Sequence, residues 1–186
     1  VGTSWSAAFS IVQPAIDACR CVVLALGGQC QVWVAAGTYE VYQGDPCDSV
    51  RLRPGVEVYG GFAGGETALG ERDWESNVTT LDGMDLTYHV VLGSDDAVLD
   101  GFTITGGNAD GDATGYTPAG EGGGVFVGAR GGQLVNCAIV DNSAAAGGAV
   151  FVQFVNNPAV FSMTDCILSG NRATEPEVNW GGGAVV

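Results

Sequence analysis

An internal repeat in the second half of the chain restricts the possible folds more than any other feature of the sequence. Asn136–Asn142 (NCAIVDN) matches Asp165–Asn171 (DCILSGN) at an offset of 29 residues, and a looser copy with one extra glycine spans Asp100–Asn108. A loop, a glycine cluster and a short apolar run follow each copy. Such a repeat indicates a solenoid, because one repeat cannot bury its apolar face alone and must stack on its neighbours.

The apolar runs predict short strands that pair in parallel from one repeat to the next. They are rich in Val, Ile, Phe and Thr, and no helical period appears after residue 20. Asn108, Asn142 and Asn171 are expected to form a ladder of side-chain amides at one turn. In the first half, the strand candidates are Gln31–Ala35, Thr38–Tyr42, Ser49–Arg53, Val56–Tyr59, Thr79–Leu81 and Tyr88–Leu92.

The N-terminal segment differs from the rest and predicts an amphipathic helix that covers the first repeat. Pro14 either kinks this helix or begins its regular part, and the capping-box spacing of Ser10 and Gln13 favours the second alternative. The residues that recur on one helical face are Trp5, Phe9, Val12, Ile16 and Cys19.

Composition excludes several classes of protein. The 186 residues include 31 glycines, no lysine and a formal charge of −15, so a nucleic-acid partner is not expected. The longest apolar run, Cys21–Leu26, is far shorter than a membrane span, so no membrane insertion is expected. The start of the chain has no basic, apolar leader, which is typical of a mature product.

Four stretches carry a resemblance to a known family: residues 2–19 (GTSWSAAFSIVQPAIDAC), 32–41 (VWVAAGTYEV), 50–83 (VRLRPGVEVYGGFAGGETALGERDWESNVTTLDG) and 98–109 (VLDGFTITGGNA). They resemble the opening of bacterial secreted proteins of the pectin-lyase-like superfamily, and the later repeats resemble those of polymorphic outer-membrane-type proteins. The resemblance implies an all-β, right-handed parallel β-helix of about six coils with an N-terminal cap helix. We expect one domain, 1–186, with a cap (1–20), irregular first coils (21–97) and regular repeats (98–186).

The resemblance leaves function open, because such domains serve as adhesins, surface proteins and polysaccharide-degrading enzymes. An enzyme is the less favoured expectation. Pectate lyases of this fold use a basic residue beside a bound calcium ion. Arg130 is the candidate for that role in this chain, but its surroundings are typical of an ordinary turn residue. Polygalacturonases of this fold use several aspartates, a Gly-His-Gly motif and an Arg-x-Lys motif. The pair Asp95–Asp96 is superficially similar to their aspartates. However, His89 has no flanking glycine, and the sequence contains no lysine.

Oxygen-bearing side chains at alternate positions predict a calcium site in one corner loop. The ligands would be Asn108, Asp110 and Asp112, with Glu121 closing the site. The alternative is a solvated acidic loop.

Variable loops at 109–121, 143–146 and 172–180 leave the same corner of successive coils and predict a binding face for glycans. Its candidate ligand-binding residues are Tyr116, Glu175, Glu177 and Trp180. The alternative is that the aromatic residues only cover exposed backbone.

The predicted function is that of an extracellular or cell-surface structural or adhesive module. Its expected partners are surface glycans or other copies of itself, which would associate end to end through an open last coil. A polysaccharide-binding or polysaccharide-degrading protein is the alternative.

The cysteines form two groups. Cys137 and Cys166 occupy the same repeat position and should lie one above the other, either as buried free thiols or as a disulfide. Two disulfides among the other four would pin the cap and the first turn, with three possible connectivities; a zinc site is the alternative. These four are Cys19, Cys21, Cys30 and Cys47. In the charged stretch Gly64–Trp74, Arg72 is expected to pair with a nearby acid and Trp74 to pack on the helix side.

Overall fold

The computed structural model describes residues 2–110, 120–128, 131–153 and 160–174. Within these residues, one α-helix, α1 (Val12–Leu26), precedes a series of short strands. The strands are β1 Cys30–Ala35, β2 Gly37–Glu40, β3 Val50–Arg51, β4 Val56–Phe62, β5 Thr79–Thr87, β6 Val91–Leu92, β7 Val98–Asp100, β8 Thr103–Ala109, β9 Val125–Val127, β10 Gly132–Val135, β11 Ala138–Val140, β12 Ser143–Ala144, β13 Val150–Val152, β14 Phe161–Thr164, β15 Ile167–Ser169 and β16 Arg172–Ala173.

The strands form three sheets, and their pairs are parallel. The first sheet has the order β1-β4-β7-β10-β14, and the third has β3-β6-β9-β13. The second holds β2-β5-β8-β11-β15, with β12 and β16 attached through β8. The chain visits the three sheets in turn, and we call one such passage a coil. The described residues complete four coils and begin a fifth at Phe161, so the predicted parallel stacking of strands is confirmed.

In-register aliphatic side chains form three columns that run along the stack. Their members in the inner coils are buried, and each fully buried aliphatic side chain stabilises the fold by about 1.5–3 kcal/mol. The columns are Val58, Leu99, Leu134 and Met163 in the first sheet, Leu81, Ile104, Ile139 and Leu168 in the second, and Val50, Val91, Val125 and Val150 in the third.

The helix is present, but its bounds differ from the predicted ones. Trp5–Ala7 is a separate short 3-10 helix, and α1 runs from Val12 to Leu26, past the boundary expected at residue 20. It ends where Gly27 adopts φ +73° and donates its N–H to the Val23 carbonyl at 2.8 Å. Its buried residues are Val12, Ile16 and Cys19.

The predicted capping box of Ser10 and Gln13 is wrong. Ile11 occupies the N-cap position without a side-chain cap, and Pro14 lies in the first turn, where its missing N–H costs nothing. Gln13 instead accepts the N–H of Arg51 at 2.7 Å and donates to the Arg51 carbonyl at 3.2 Å. Arg51 belongs to β3, which is the strand at one edge of the third sheet. The side-chain amide of Gln13 therefore hydrogen-bonds to the backbone of that edge, and the helix covers it.

The asparagine ladder has two rungs rather than three. Asn142 donates its Nδ2 to Oδ1 of Asn171 at 3.0 Å and accepts the N–H of Gly107 at 2.9 Å. Asn108 lies opposite Ser143, one position away, so its predicted place in the ladder is wrong. The extra glycine in the Asp100–Asn108 copy shifts Asn108 past the corner.

Replacing Asn142 by alanine is expected to lower the free energy of unfolding by about 2–3 kcal/mol, because its buried partners lose their hydrogen bonds. The side chain is 1% exposed and also donates to the carbonyls of Ile104 and Val140. Urea unfolding measures the loss. Asn108→Ala is the matched control, with an expected loss below about 1 kcal/mol; equal losses in the two variants would contradict the ladder.

Candidate functional site

A carboxylate in the corner loops connects three successive coils. Asp110 follows β8 in the third coil, and its Oδ2 accepts the hydroxyl of Ser143 in the fourth coil at 2.5 Å. Its Oδ1 accepts the hydroxyl of Thr174, next to β16 in the fifth coil, at 2.7 Å. We call Asp110, Ser143 and Thr174 the corner-loop site. The loops that were expected to neighbour one another therefore do so at this point.

The structure describes three of the four predicted calcium ligands. Asn108 Oδ1 accepts the N–H of Asp110 at 3.3 Å, and its Nδ2 donates to the Asp85 carbonyl at 3.3 Å. Glu121 forms an isolated parallel bridge with Ala146, and burial raises the pKa of its carboxyl. In the described part of the chain, no three or more His, Cys, Asp or Glu side chains form a group that could hold a metal. Asp112 lies outside the described residues, so calcium binding stays a prediction.

The predicted glycan-binding residues lie outside the described part of the chain. They are Tyr116, Glu175, Glu177 and Trp180, and Arg130 lies outside it as well. Their role stays a prediction.

A buried ion pair holds the loop after β4 on the corner between the first and second sheets. Arg72 Nη2 lies 2.7 Å from Asp100 Oδ2, and the two side chains are 8% and 11% exposed. The guanidinium carbon lies 5.0 Å from the ring centre of Tyr59 and 4.8 Å from that of Trp74. Asn136, one coil further, donates its Nδ2 to Asp100 Oδ1 at 2.9 Å. The expected pairing of Arg72 is thus confirmed, and the group has a structural role.

Trp74 lies beside this ion pair, which corrects the prediction that it packs on the helix side. A Cβ atom added at Gly61 would come within 2.6 Å of the Trp74 backbone, and one added at Gly101 within 2.9 Å of its side chain. Trp74 therefore packs on the glycine-lined corner, and the two glycines make room for it.

An aromatic cleft of about 940 Å³ lies between α1, β1 and residues 64–67. Trp33 stacks on Phe62 with ring centres 4.8 Å apart, and Trp5 lies 5.4 Å from Phe62. Trp5 donates its indole N–H to the Glu66 carbonyl at 2.9 Å, which holds the N-terminal segment over the cleft. The predicted helix face included Trp5, but the clustering of these three rings was not apparent from the sequence.

The four N-terminal cysteines form one disulfide rather than two. Cys19 of α1 is bonded to Cys30 of β1 with a Cα–Cα distance of 5.6 Å, so the cap is pinned to the first coil as expected. Cys21 and Cys47 are free and exposed, which corrects the expectation of a second bond among these residues.

His89 is buried, and one of its ring nitrogens lacks a partner. Nδ1 lies 2.9 Å from the Gly122 carbonyl, which can only accept, so Nδ1 carries the proton. Nε2 is buried without a hydrogen-bond partner among the described residues. The ring stacks on Phe126 at 5.0 Å, and Phe126 stacks on Phe151 at 6.0 Å. Burial lowers the pKa of His89, so the ring is neutral near pH 7 and acts as a packing element.

Comparisons with known proteins give no assignment. No family model matches the chain, and neither the curated proteins nor the solved structures contain a match. Among the described residues, no helix combines the length and the apolar character needed to cross a membrane.

Because burial lowers the pKa of His89, the protein should lose stability as the pH falls below about 6.5, the value for an unfolded histidine. In that range the unfolded chain takes up a proton that the folded chain does not. The contribution of His89 to this pH dependence reaches at most about 1.4 kcal/mol per pH unit. Urea unfolding at several pH values between about 5.5 and 7 measures the dependence, and His89→Phe should make it less steep. An unchanged slope in the variant would show that His89 is not its source.

Proposed function

We propose that this chain is a right-handed parallel β-helix that serves as a non-catalytic structural and adhesive module, secreted or held at a bacterial cell surface. Its partners are surface glycans or other copies of itself. The observation that carries the proposal is that polar side chains at the corners bond from one coil to the next. Three sets of contacts tie neighbouring coils together: Asn142 with Asn171, Asp100 with both Arg72 and Asn136, and Asp110 with Ser143 and Thr174.

These contacts favour a scaffold over an enzyme. A catalytic site needs a nucleophile or an acid and a base within hydrogen-bond reach of a substrate. The polar groups just named are engaged with one another, and His89 is buried. Contacts that repeat along the stack instead make a stiff rod, which suits a protein that presents its outer surface to partners.

The test has an activity arm and an association arm, both on the purified chain. Incubation with polygalacturonate and with neutral polysaccharides should release no reducing ends above a heat-treated control. Light scattering should show the molar mass rising with protein concentration, and more strongly at high salt, because salt screens the charge of −15. Release of reducing ends in proportion to protein would contradict the proposal, and so would a constant monomer mass without binding to any surface glycan.

A second candidate function is glycan binding in the aromatic cleft. It is favoured by the part-buried rings of Trp5 and Trp33, which line an open cleft beside the exposed Gln31 and the half-buried Glu66. Sugars stack on aromatic faces and hydrogen-bond to polar groups at the ring edges, so this combination suits a saccharide.

A glycan array tests this second candidate. Trp5→Ala should remove the bound signal, whereas Leu24→Ala, which changes an exposed residue of α1 outside the cleft, should leave it unchanged. Thermal melts of both variants control for folding. Equal signals from the two folded variants would exclude the cleft as the binding site.

A further inference from the structure

Two free cysteines lie one above the other at the corner between the first and second sheets. Ala138 pairs with Ile167 in register, so the residues before them, Cys137 and Cys166, face each other across neighbouring coils. Adjacent strands are about 4.8 Å apart. That separation falls within the Cα–Cα range of about 4.4–6.8 Å that disulfides require.

The two side chains point the same way along the stack. The Cys137 thiol donates to the carbonyls of Val135 and Leu99, at 3.2 and 3.5 Å. The Cys166 thiol likewise donates to Thr164 at 3.4 Å and to Leu134 at 3.6 Å. Since Leu134 belongs to the coil that carries Cys137, the Cys166 sulfur leans toward that coil.

The two thiols differ in accessibility and in acidity. Cys137 is 2% exposed, whereas Cys166 is only half-buried. The neighbouring Cys137 side chain is the main cause that lowers the pKa of Cys166 to about 6. The same contact, followed by burial, raises the pKa of Cys137. Cys166 is therefore the more accessible and the more acidic of the two thiols, and Cys137 is a protected thiol beside it.

We propose that Cys166 and Cys137 form a redox-active dithiol, in which Cys166 attacks a low-molecular-weight disulfide and Cys137 resolves the product into an intramolecular disulfide. The Cys166 thiolate bonds to one sulfur of the small disulfide, whose S–S bond breaks and whose other half leaves as a thiolate. Cys137 then loses its proton to solvent and attacks the Cys166 sulfur, which releases the second half. Two protein thiols are oxidised, and one small disulfide is reduced to two thiols.

The resulting bond would link the fourth and fifth coils. It would close a loop that includes β11, β12, β13 and β14 and would restrict the unfolded chain. The melting temperature should rise by about 5–10 °C, as expected for a loop of this length in a chain of this size.

The experiment uses the full chain with Cys21 and Cys47 replaced by serine, so that Cys137 and Cys166 are the remaining thiols. After incubation with oxidised glutathione, peptide mapping should find Cys137 linked to Cys166. Cys137→Ser should accumulate glutathione on Cys166, whereas Cys166→Ser should leave Cys137 unmodified. The parent chain answers the question even where a serine variant does not fold. Thiols that stay free, or a glutathione adduct that persists on Cys166 of the parent chain, would overturn the proposal.

Discussion

Replacing Arg72 by alanine is expected to lower the free energy of unfolding by about 3–5 kcal/mol. The change leaves the Asp100 carboxylate buried without its cation, and it also removes the stacking of the guanidinium on Tyr59 and Trp74. The Gly60 and Asp100 carbonyls, which accept from Arg72 Nη1 at 3.2 Å, lose that donor as well. Urea unfolding followed by tryptophan fluorescence measures the loss.

Arg53→Ala is the matched control for the Arg72 variant. Arg53 forms the other ion pair of the described residues, 2.8 Å from Asp17, but the two side chains are 40% and 48% exposed. Solvent screens an exposed pair, so the expected loss is below about 1 kcal/mol. A comparable loss in the two variants would mean that Arg72 does not hold the loop after β4 on the corner.

Gly107→Ala is expected to destabilise the protein by about 3 kcal/mol or more, because the new methyl group would meet backbone rather than a movable side chain. A Cβ atom at this position would lie within 2 Å of the Gly123 carbonyl oxygen, across the interior of the same coil. The added methyl group fits only if the second and third sheets separate here, or if the Gly123 carbonyl moves and loses the hydrogen bond that it accepts from the Val90 N–H. Thermal and urea unfolding measure the effect.

Gly65→Ala is the matched control for the Gly107 variant. Gly65 is exposed, and an added Cβ atom would have no heavy atom within 4 Å. The expected change is within about 0.5 kcal/mol. A Gly107→Ala variant as stable as this control would show that the coil is wider than described.

Much of the fold could be predicted because the repeat encodes local structure. The strand candidates correspond to strands of the three sheets, since short β-branched runs between glycine turns carry their own signal. The end of α1 was missed because the apolar run Cys21–Leu26 fits a strand as well as a helix. The disulfide between Cys19 and Cys30, which holds this helix on β1, could not be predicted, because the spacing of the cysteines leaves their connectivity open.

The candidate sites were harder to predict because their partners are distant in sequence. Spacing alone singled out Asp110, but its hydroxyl partners Ser143 and Thr174 lie 33 and 64 residues further along the chain. They come together only when loops of different length leave the same corner. The stacking of Cys137 and Cys166 was predictable, since both occupy one position of the repeat. Their unequal acidity was not, because it arises from hydrogen bonds between coils.

The most direct test of the parallel stack is a nuclear Overhauser experiment on the isotope-labelled chain. The structure predicts backbone contacts of Ile139 with Ile104 on one side and with Leu168 on the other, together with contacts of Ala138 with Ile167 and of Val140 with Ser169. Contacts of Ala138 with Ser169 would show an antiparallel pair and would contradict the account. Absence of contacts between Ile139 and both Ile104 and Leu168 would contradict it as well.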